Sequence, residues 1–326
     1  MVKVMRSMSR EEVFKIITDA RKKGQPPNLR DVNLANAYLR DADLAGADLA
    51  DANLTDAYLY GANLSGARLA GANLTGADLT GANLTRVNLR WANLEGVDFT
   101  KANLRDAGFR HANLADVNLT KADLRAADLT RADLHGADLT RANLISVELG
   151  SVNLRSANLH HANLHGAILW RADLEDANLT GAHLEGAGLT DANLTNVNLK
   201  GADLRRANLR NANLTDADLT GANLTNADLF AGLSKGVILK GTNLTGADLI
   251  GANLYGVNLT DANLADDPMT VIDHDVPEVR AWAVARITNP EMLLHAATDT
   301  DEKVRAAVVD NPSCPSSVAA IAALQT

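Results

Sequence analysis

From Leu29 to Leu264 the same kind of residue returns every five positions, without a break in phase. Of the 48 centre positions in this run, 45 are Leu; the others are Phe99, Phe109 and Ser234. The residue two before the centre is almost always Ala or Val, and the one directly before it is Asn 25 times and Asp 13 times. The unit reads A-(N/D)-L-x-x. On an α-helix, steps of five would walk the Leu around the whole surface. On a strand of period two, alternate Leu would face water. The backbone must therefore turn a corner every five residues, with Ala and Leu pointing inward and the other three positions outward. Gly, Asp and Asn, frequent at the last position, supply turn chemistry, and Asn or Asp before Leu can hydrogen-bond nearby backbone.

Composition agrees. The chain has 326 residues and is 46% hydrophobic but only 3% aromatic, so its apolar content is Ala and Leu rather than rings. A conventional core of this size would use more Phe, Tyr and Trp, which bury large areas each. A single cysteine, Cys314, excludes an intramolecular disulfide framework and any multi-cysteine metal site. The first residues contain no apolar stretch of signal-peptide length, and no run approaches a membrane span. A cytoplasmic protein without membrane contact is expected. The net charge of −9 argues against direct nucleic-acid binding.

The A-(N/D)-L-x-x quintets closely resemble the pentapeptide-repeat family. The resemblance implies an all-β solenoid: a right-handed quadrilateral β-helix with four quintets per coil and about 12 coils. At ~4.8 Å per coil the rod would be roughly 58 Å long. We divide the chain into an N-terminal capping helix (1–26), the solenoid (27–266) and a small α-helical module (267–326). Ser9 to Glu12 forms a capping box, and Val13, Ile16, Ile17 and Ala20 form one apolar stripe. Near the other end, Val279-Arg-Ala-Trp-Ala-Val and Val304-Arg-Ala-Ala-Val-Val stand 25 residues apart, each leading to an Asn-Pro (Asn289-Pro290 and Asn311-Pro312). This segment resembles variant leucine-rich or HEAT-like helical repeats; a plain helical cap is the alternative.

Residues 20 apart should stack on one face of the rod, which we name by its first centre. The Leu34 face carries Asp56, Glu95, Asp116, Asp133, Asp173, Glu175, Asp176 and Asp216 against Arg155 and Lys235. The Leu29 face carries Arg90, Trp91, Arg110, Arg131, Trp170 and Arg171, the residue types of binding hot spots. There the competing reading is that each Trp covers a Gly one coil below, Gly71 or Gly150. The Leu39 face carries the column Lys101, Lys121, Arg141, His161, with Asp98 and Asp138 available to neutralise it. Tyr38, Tyr58 and Tyr60 cluster there in the first coils, where the N-terminal helix could pack. Around the aberrant quintet Gly232–Gly236, an apolar patch of Phe230, Leu233, Ile238, Ile250 and Tyr255 suggests an interface with the helical module or a second copy. Candidates for the module's side of it are Val279, Trp282, Val284, Leu293 and Leu294.

No phosphate loop or nucleophile elbow is found. His160, His161, His165 and His183, with Glu185, spread over flat outer faces that would not converge on a metal, and no catalytic residue, metal or cofactor is assigned. The expected function is a non-enzymatic scaffold, monomer or homodimer, that binds a protein partner through an outer face or the helical module. The resemblance implies an alternative, because well-studied members mimic DNA and modulate gyrase and other type II topoisomerases. Eight acids over the rod give one charge per ~7 Å, against one per ~1.7 Å in duplex DNA.

Overall fold

The computed structural model describes residues 6–230, 237–245, 247, 249, 252–254, 257–259, 261–265, 268–271 and 273–324. The quintets form a quadrilateral solenoid. Parallel bridges join residues 20 apart, from Asn28–Asp48 to Asn208–Asp228, so four quintets make one coil. Within a quintet, the Leu34 carbonyl accepts from the Ala37 N–H at 3.0 Å. Asn36, at φ 57°, is the third residue of that turn, as a type II turn requires. Every fifth residue from Asp31 to Asn226 repeats this left-handed conformation. Successive coils are tied by main-chain bonds such as Leu34 N–H to the Asn53 carbonyl (2.6 Å) and Asn53 N–H to the Val32 carbonyl (2.9 Å).

The Asn or Asp before each Leu does two jobs. Asn53 Oδ1 accepts from the Thr55 N–H at 3.1 Å, holding the next turn, and Asn53 Nδ2 donates to Asn33 Oδ1 at 3.0 Å, one coil away. Leu and Ala fill the interior, nearly all with no exposed surface. The two interior rings, Phe99 and Phe109, lie two quintets apart on opposite walls and meet edge to face, with centroids 6.4 Å apart.

Helix α1 (Arg10–Lys22) and the two-residue strand β1 (Arg6–Ser7) cover the first coil. The capping box is present: Ser9 Oγ accepts from the Glu12 N–H, and Glu12 Oε2 accepts from the Ser9 N–H. Strand β1 pairs in parallel with β2 (Val32–Asn33), so an edge that would otherwise template association is occupied. Val13 and Ile17 are buried, and Arg21 donates to the Ala45 carbonyl at 2.6 Å. The helix does not cover the tyrosines, contrary to the sequence expectation. Tyr38 and Tyr58 stack on each other at 4.7 Å and remain exposed, as does Tyr60 under Arg40.

The unbroken coil register expected from the sequence needs correction. The five-residue phase is kept, but after Asn208–Asp228 the bridges become Asn213–Ile238, Asp218–Asn243 and Asp228–Asn253, a step of 25. The step returns to 20 at Asn243–Asn263. The register thus steps over five residues once, a quarter of a coil, and the count stays at about 12 coils. The quintet Gly232–Gly236 lies outside the described residues; in sequence it carries Ser234 and Gly232 where other quintets carry Leu and Ala. Beyond it, Val237 and Leu239 are again buried, 6% and 2% exposed. Ile238 and Lys240 consequently join the Leu34 face instead of the Leu39 face, and the Asp216 N–H donates to the Lys240 carbonyl. Thr242, in an Ala position, is fully buried and satisfies its hydroxyl on the Leu214 carbonyl at 2.6 Å.

A 3₁₀ turn (Pro268–Val271) leads to four helices: α2 (Pro277–Val284), α3 (Pro290–Ala296), α4 (Glu302–Asp310) and α5 (Ser316–Leu324). Trp282 plugs the end of the rod, its Nε1 donating to the Ala262 carbonyl at 2.9 Å. Val279, Val284 and Leu293 are buried, whereas Leu294 is 46% exposed and does not pack inward. The two Asn-Pro pairs are not equivalent. Asn289 caps α3, with Pro290 in its first turn; Asn311 is buried and donates to the Val284 and Ile287 carbonyls, joining α4 to the end of α2.

Candidate partner-binding face

Two columns of turn residues run up the Leu29 face. One passes through Arg90, Arg110 and Trp170; the other through Trp91, His111, Arg131 and Arg171. Trp91 and Trp170 are four coils apart, roughly 19 Å at the spacing of parallel strands. The two indoles are held differently. Trp91 has φ 63° and is 66% exposed, and its ring lies parallel to the His111 imidazole at 4.0 Å. Trp170 lies flat over Gly150, where a Cβ would come within 2.5 Å of its indole nitrogen. Covering a glycine is therefore right for Trp170 and wrong for Trp91, which turns toward His111 while Gly71 faces Asp51. The Cα-to-Cα repeat of 20 that links positions 91 and 111 is visible in the sequence; that the rings would choose this direction is not.

The arginines divide as well. Arg110 faces Asp128 at 3.2 Å, and Arg171 reaches toward Asp191 at 3.9 Å while resting near the Trp170 ring. Among the described residues, the side chains of Arg90 and Arg131 have no hydrogen bond or ion pair. The stripe thus combines two semi-exposed indoles, an imidazole and two uncommitted guanidinium groups.

The acidic Leu34 face is less free than its charge count suggests. Asp133 and Asp173 belong to the side-chain ladder: Asp133 Oδ1 accepts from Asn153 and the His135 N–H, and Asp173 Oδ1 from Asn193 and the Glu175 N–H. Arg155 bridges Asp173 and Glu175, whose hydrogen bond and charge raise the guanidinium pKa above its ordinary value. Asp176 accepts from Asn196 at 3.1 Å. Asp56, Asp116 and Asp216 lean on Gly76, Gly136 and Gly241, and Glu95 stays exposed. Lys235, expected to offset this face, lies outside the described residues.

On the Leu39 face, Asp98 and Asp138 do not neutralise the cationic column; each accepts from a turn N–H, of Thr100 and Thr140. His161 lies over Gly181. His160 and His161 touch at 4.1 Å, and His165 approaches Glu185 at 3.9 Å, but no metal-binding group of three forms among the described residues. Of the apolar patch near the C-terminal end, Leu233, Ile250 and Tyr255 lie outside the described residues. Phe230 is half-buried near Arg210, and Ile238 is 42% exposed on the Leu34 face rather than the Leu39 face. No described helix is long and apolar enough to cross a membrane.

A family model described as pentapeptide repeats matches the chain in eight copies, at residues 28–66, 62–100, 102–141, 122–160, 132–171, 157–196, 192–229 and 235–266. Among solved structures, the chain is similar to HetL, a pentapeptide repeat protein involved in heterocyst differentiation regulation in the cyanobacterium Nostoc sp. strain PCC 7120 (32% identity, 79% of this chain and 98% of that one, TM-score 0.36). It is also similar to Rfr23 from the cyanobacterium Cyanothece 51142 (29%, 38% and 88%, 0.27). A third similarity is to QnrB1, a plasmid-mediated fluoroquinolone resistance protein (18%, 62% and 95%, 0.25). No curated protein matches the chain.

Proposed function

The chain belongs to the pentapeptide-repeat family, and from that premise we propose that it is a non-enzymatic scaffold binding a protein partner through the Trp91–Arg171 stripe. The observation that carries this reading is the Trp91 ring. It stands in a left-handed turn position that Gly, Asp or Asn fills at lower cost, and it is exposed yet immobilised on His111. A rigid indole beside uncommitted arginines suits a hot spot, because little side-chain freedom remains to be lost on binding. Affinity capture with the full chain tests it. A partner retained by the wild type should be lost with Trp91→Ala at unchanged melting temperature; undiminished capture refutes the stripe.

The second reading, modulation of a type II topoisomerase by DNA mimicry, rests on the Leu34 acids. Their engagement by Arg155, by asparagine ladders and by turn N–H groups supports it less well. A gyrase supercoiling assay separates the two, since the scaffold reading expects no change even at high protein concentration.

A further inference from the structure

The helical module is fastened firmly within itself. Arg280 grips Asp299 through Nε and Nη2, both bonds at 2.8 Å, and Asn311 ties α4 to the end of α2. Its seam with the rod is less completely packed. One face of α2 and of the turn after it, Ala281, Trp282, Ala285 and Arg286, looks toward Val257 and Leu259 of the rod. Trp282 spans the seam to the Ala262 carbonyl, but the two alanines beside it leave the space unfilled. A cavity of about 300 Å³ results, with Lys303 of α4 and Glu278 of α2 at its side.

The cavity has an apolar wall and a charged one. Trp282 and Leu259 supply the first, and Arg286, Lys303 and Glu278 the second. Arg286 is held in a fixed pose: its guanidinium carbon lies 4.4 Å from the centroid of the Trp282 ring, and Nη1 donates to the Trp282 carbonyl at 3.2 Å. Loss of water around this group pushes its pKa below the ordinary value, against the opposing effect of the Asp261 charge. Glu278 is already engaged by the Lys303 ammonium, so the positive charge of Arg286 dominates the charged wall. A hollow of this size, largely apolar and with a few converging polar groups, has the form of a small-molecule site. An oriented, partly desolvated guanidinium selects a carboxylate, whose two oxygens match its fork.

We infer that this seam cavity binds a small organic acid, with the carboxylate on Arg286 and an apolar chain against Trp282 and Leu259. The site is separate from the Trp91–Arg171 stripe and stands or falls without it. Its occupant touches both the rod and the helical module.

Octanoate is a suitable probe, titrated into the full chain carrying nitrogen-15 tryptophan. Trp91→Phe and Trp170→Phe assign the three indole N–H resonances. A saturable shift of the Trp282 resonance is expected, half complete at about 1 mM or below, with the other two unmoved. Octanol and octylamine should bind at least about tenfold more weakly, as should octanoate to Arg286→Gln. Ala281→Leu, which fills the cavity and keeps every charge, should abolish binding, and it keeps the test valid if Arg286→Gln disturbs the module. No shift at about 10 mM overturns the inference. So does equal affinity for octanol or octylamine, or undiminished binding of octanoate by either folded variant.

Discussion

The Trp91 indole lies parallel to the His111 imidazole one coil above, with ring centroids 4.0 Å apart and 4° between the planes. Both residues have positive φ, 63° and 60°, so the rod holds two rings on backbone that disfavours them. Replacement of Trp91 by Gly should therefore leave stability unchanged or raise it by up to about 1 kcal/mol, while partner binding falls. Denaturant melts check the first half, and a loss of stability of that size would show the indole to be a structural support.

Trp170 gives the opposite expectation. Gly150 has ordinary φ, so Gly150→Ala creates no backbone strain, but its Cβ collides with the indole. The ring should be displaced at a cost on the order of 1 kcal/mol. Acrylamide should then quench Trp170 more strongly in a background lacking the other two tryptophans. Unchanged quenching would mean that the ring does not rest on Gly150.

Most of the rod was legible from Leu29 onward because the interior accepts only a narrow set of side chains, and each quintet repeats the test. Phe99 and Phe109 could be placed inside by register alone, and the Ser9–Glu12 box by spacing. The step of 25 at Asn213–Ile238 was not legible, because omitting a whole quintet preserves the phase that the sequence displays. The candidate stripe was legible as a set of outward positions. Ring direction was not, since Trp91 and Trp170 occupy adjacent turn positions and turn to opposite neighbours. The Arg280–Asp299 grip was hidden for another reason: the end of α2, the whole of α3 and the loops on either side of α3 separate its partners in sequence.

Removal of residues 232–236 should be tolerated, because the bridges Asn213–Ile238, Asp218–Asn243 and Asp228–Asn253 already step over five residues. The shortened chain is expected to melt cooperatively with stability within about 1 kcal/mol of the parent, since a connection shortened by five residues changes the closure entropy little. Loss of cooperative melting would show that the removed quintet supports the last coils.

Asp299 sets an acid limit on the helical module. The Arg280 hydrogen bonds hold its carboxyl below the ordinary value of 3.8, against the opposing effect of burial. A depressed folded value means that the stabilisation is complete well above 3.8 and is lost as pH falls through the lower, folded value. Melts reported by Trp282 should show this loss in acid. Asp299→Asn should remove that pH dependence and cost about 3 kcal/mol, because it strands Arg280. Both side chains are only 15% exposed. An unchanged acid profile in the variant would assign the limit to another carboxylate.

The most direct test of the scaffold account is photo-crosslinking from single positions on opposite faces of the rod. With a benzophenone amino acid in place of Arg131, the full chain should crosslink its captured partner. The same group in place of Lys121, on the Leu39 face, should not. Equal crosslinking from both positions, or crosslinking from position 121 alone, would contradict binding through the Trp91–Arg171 stripe.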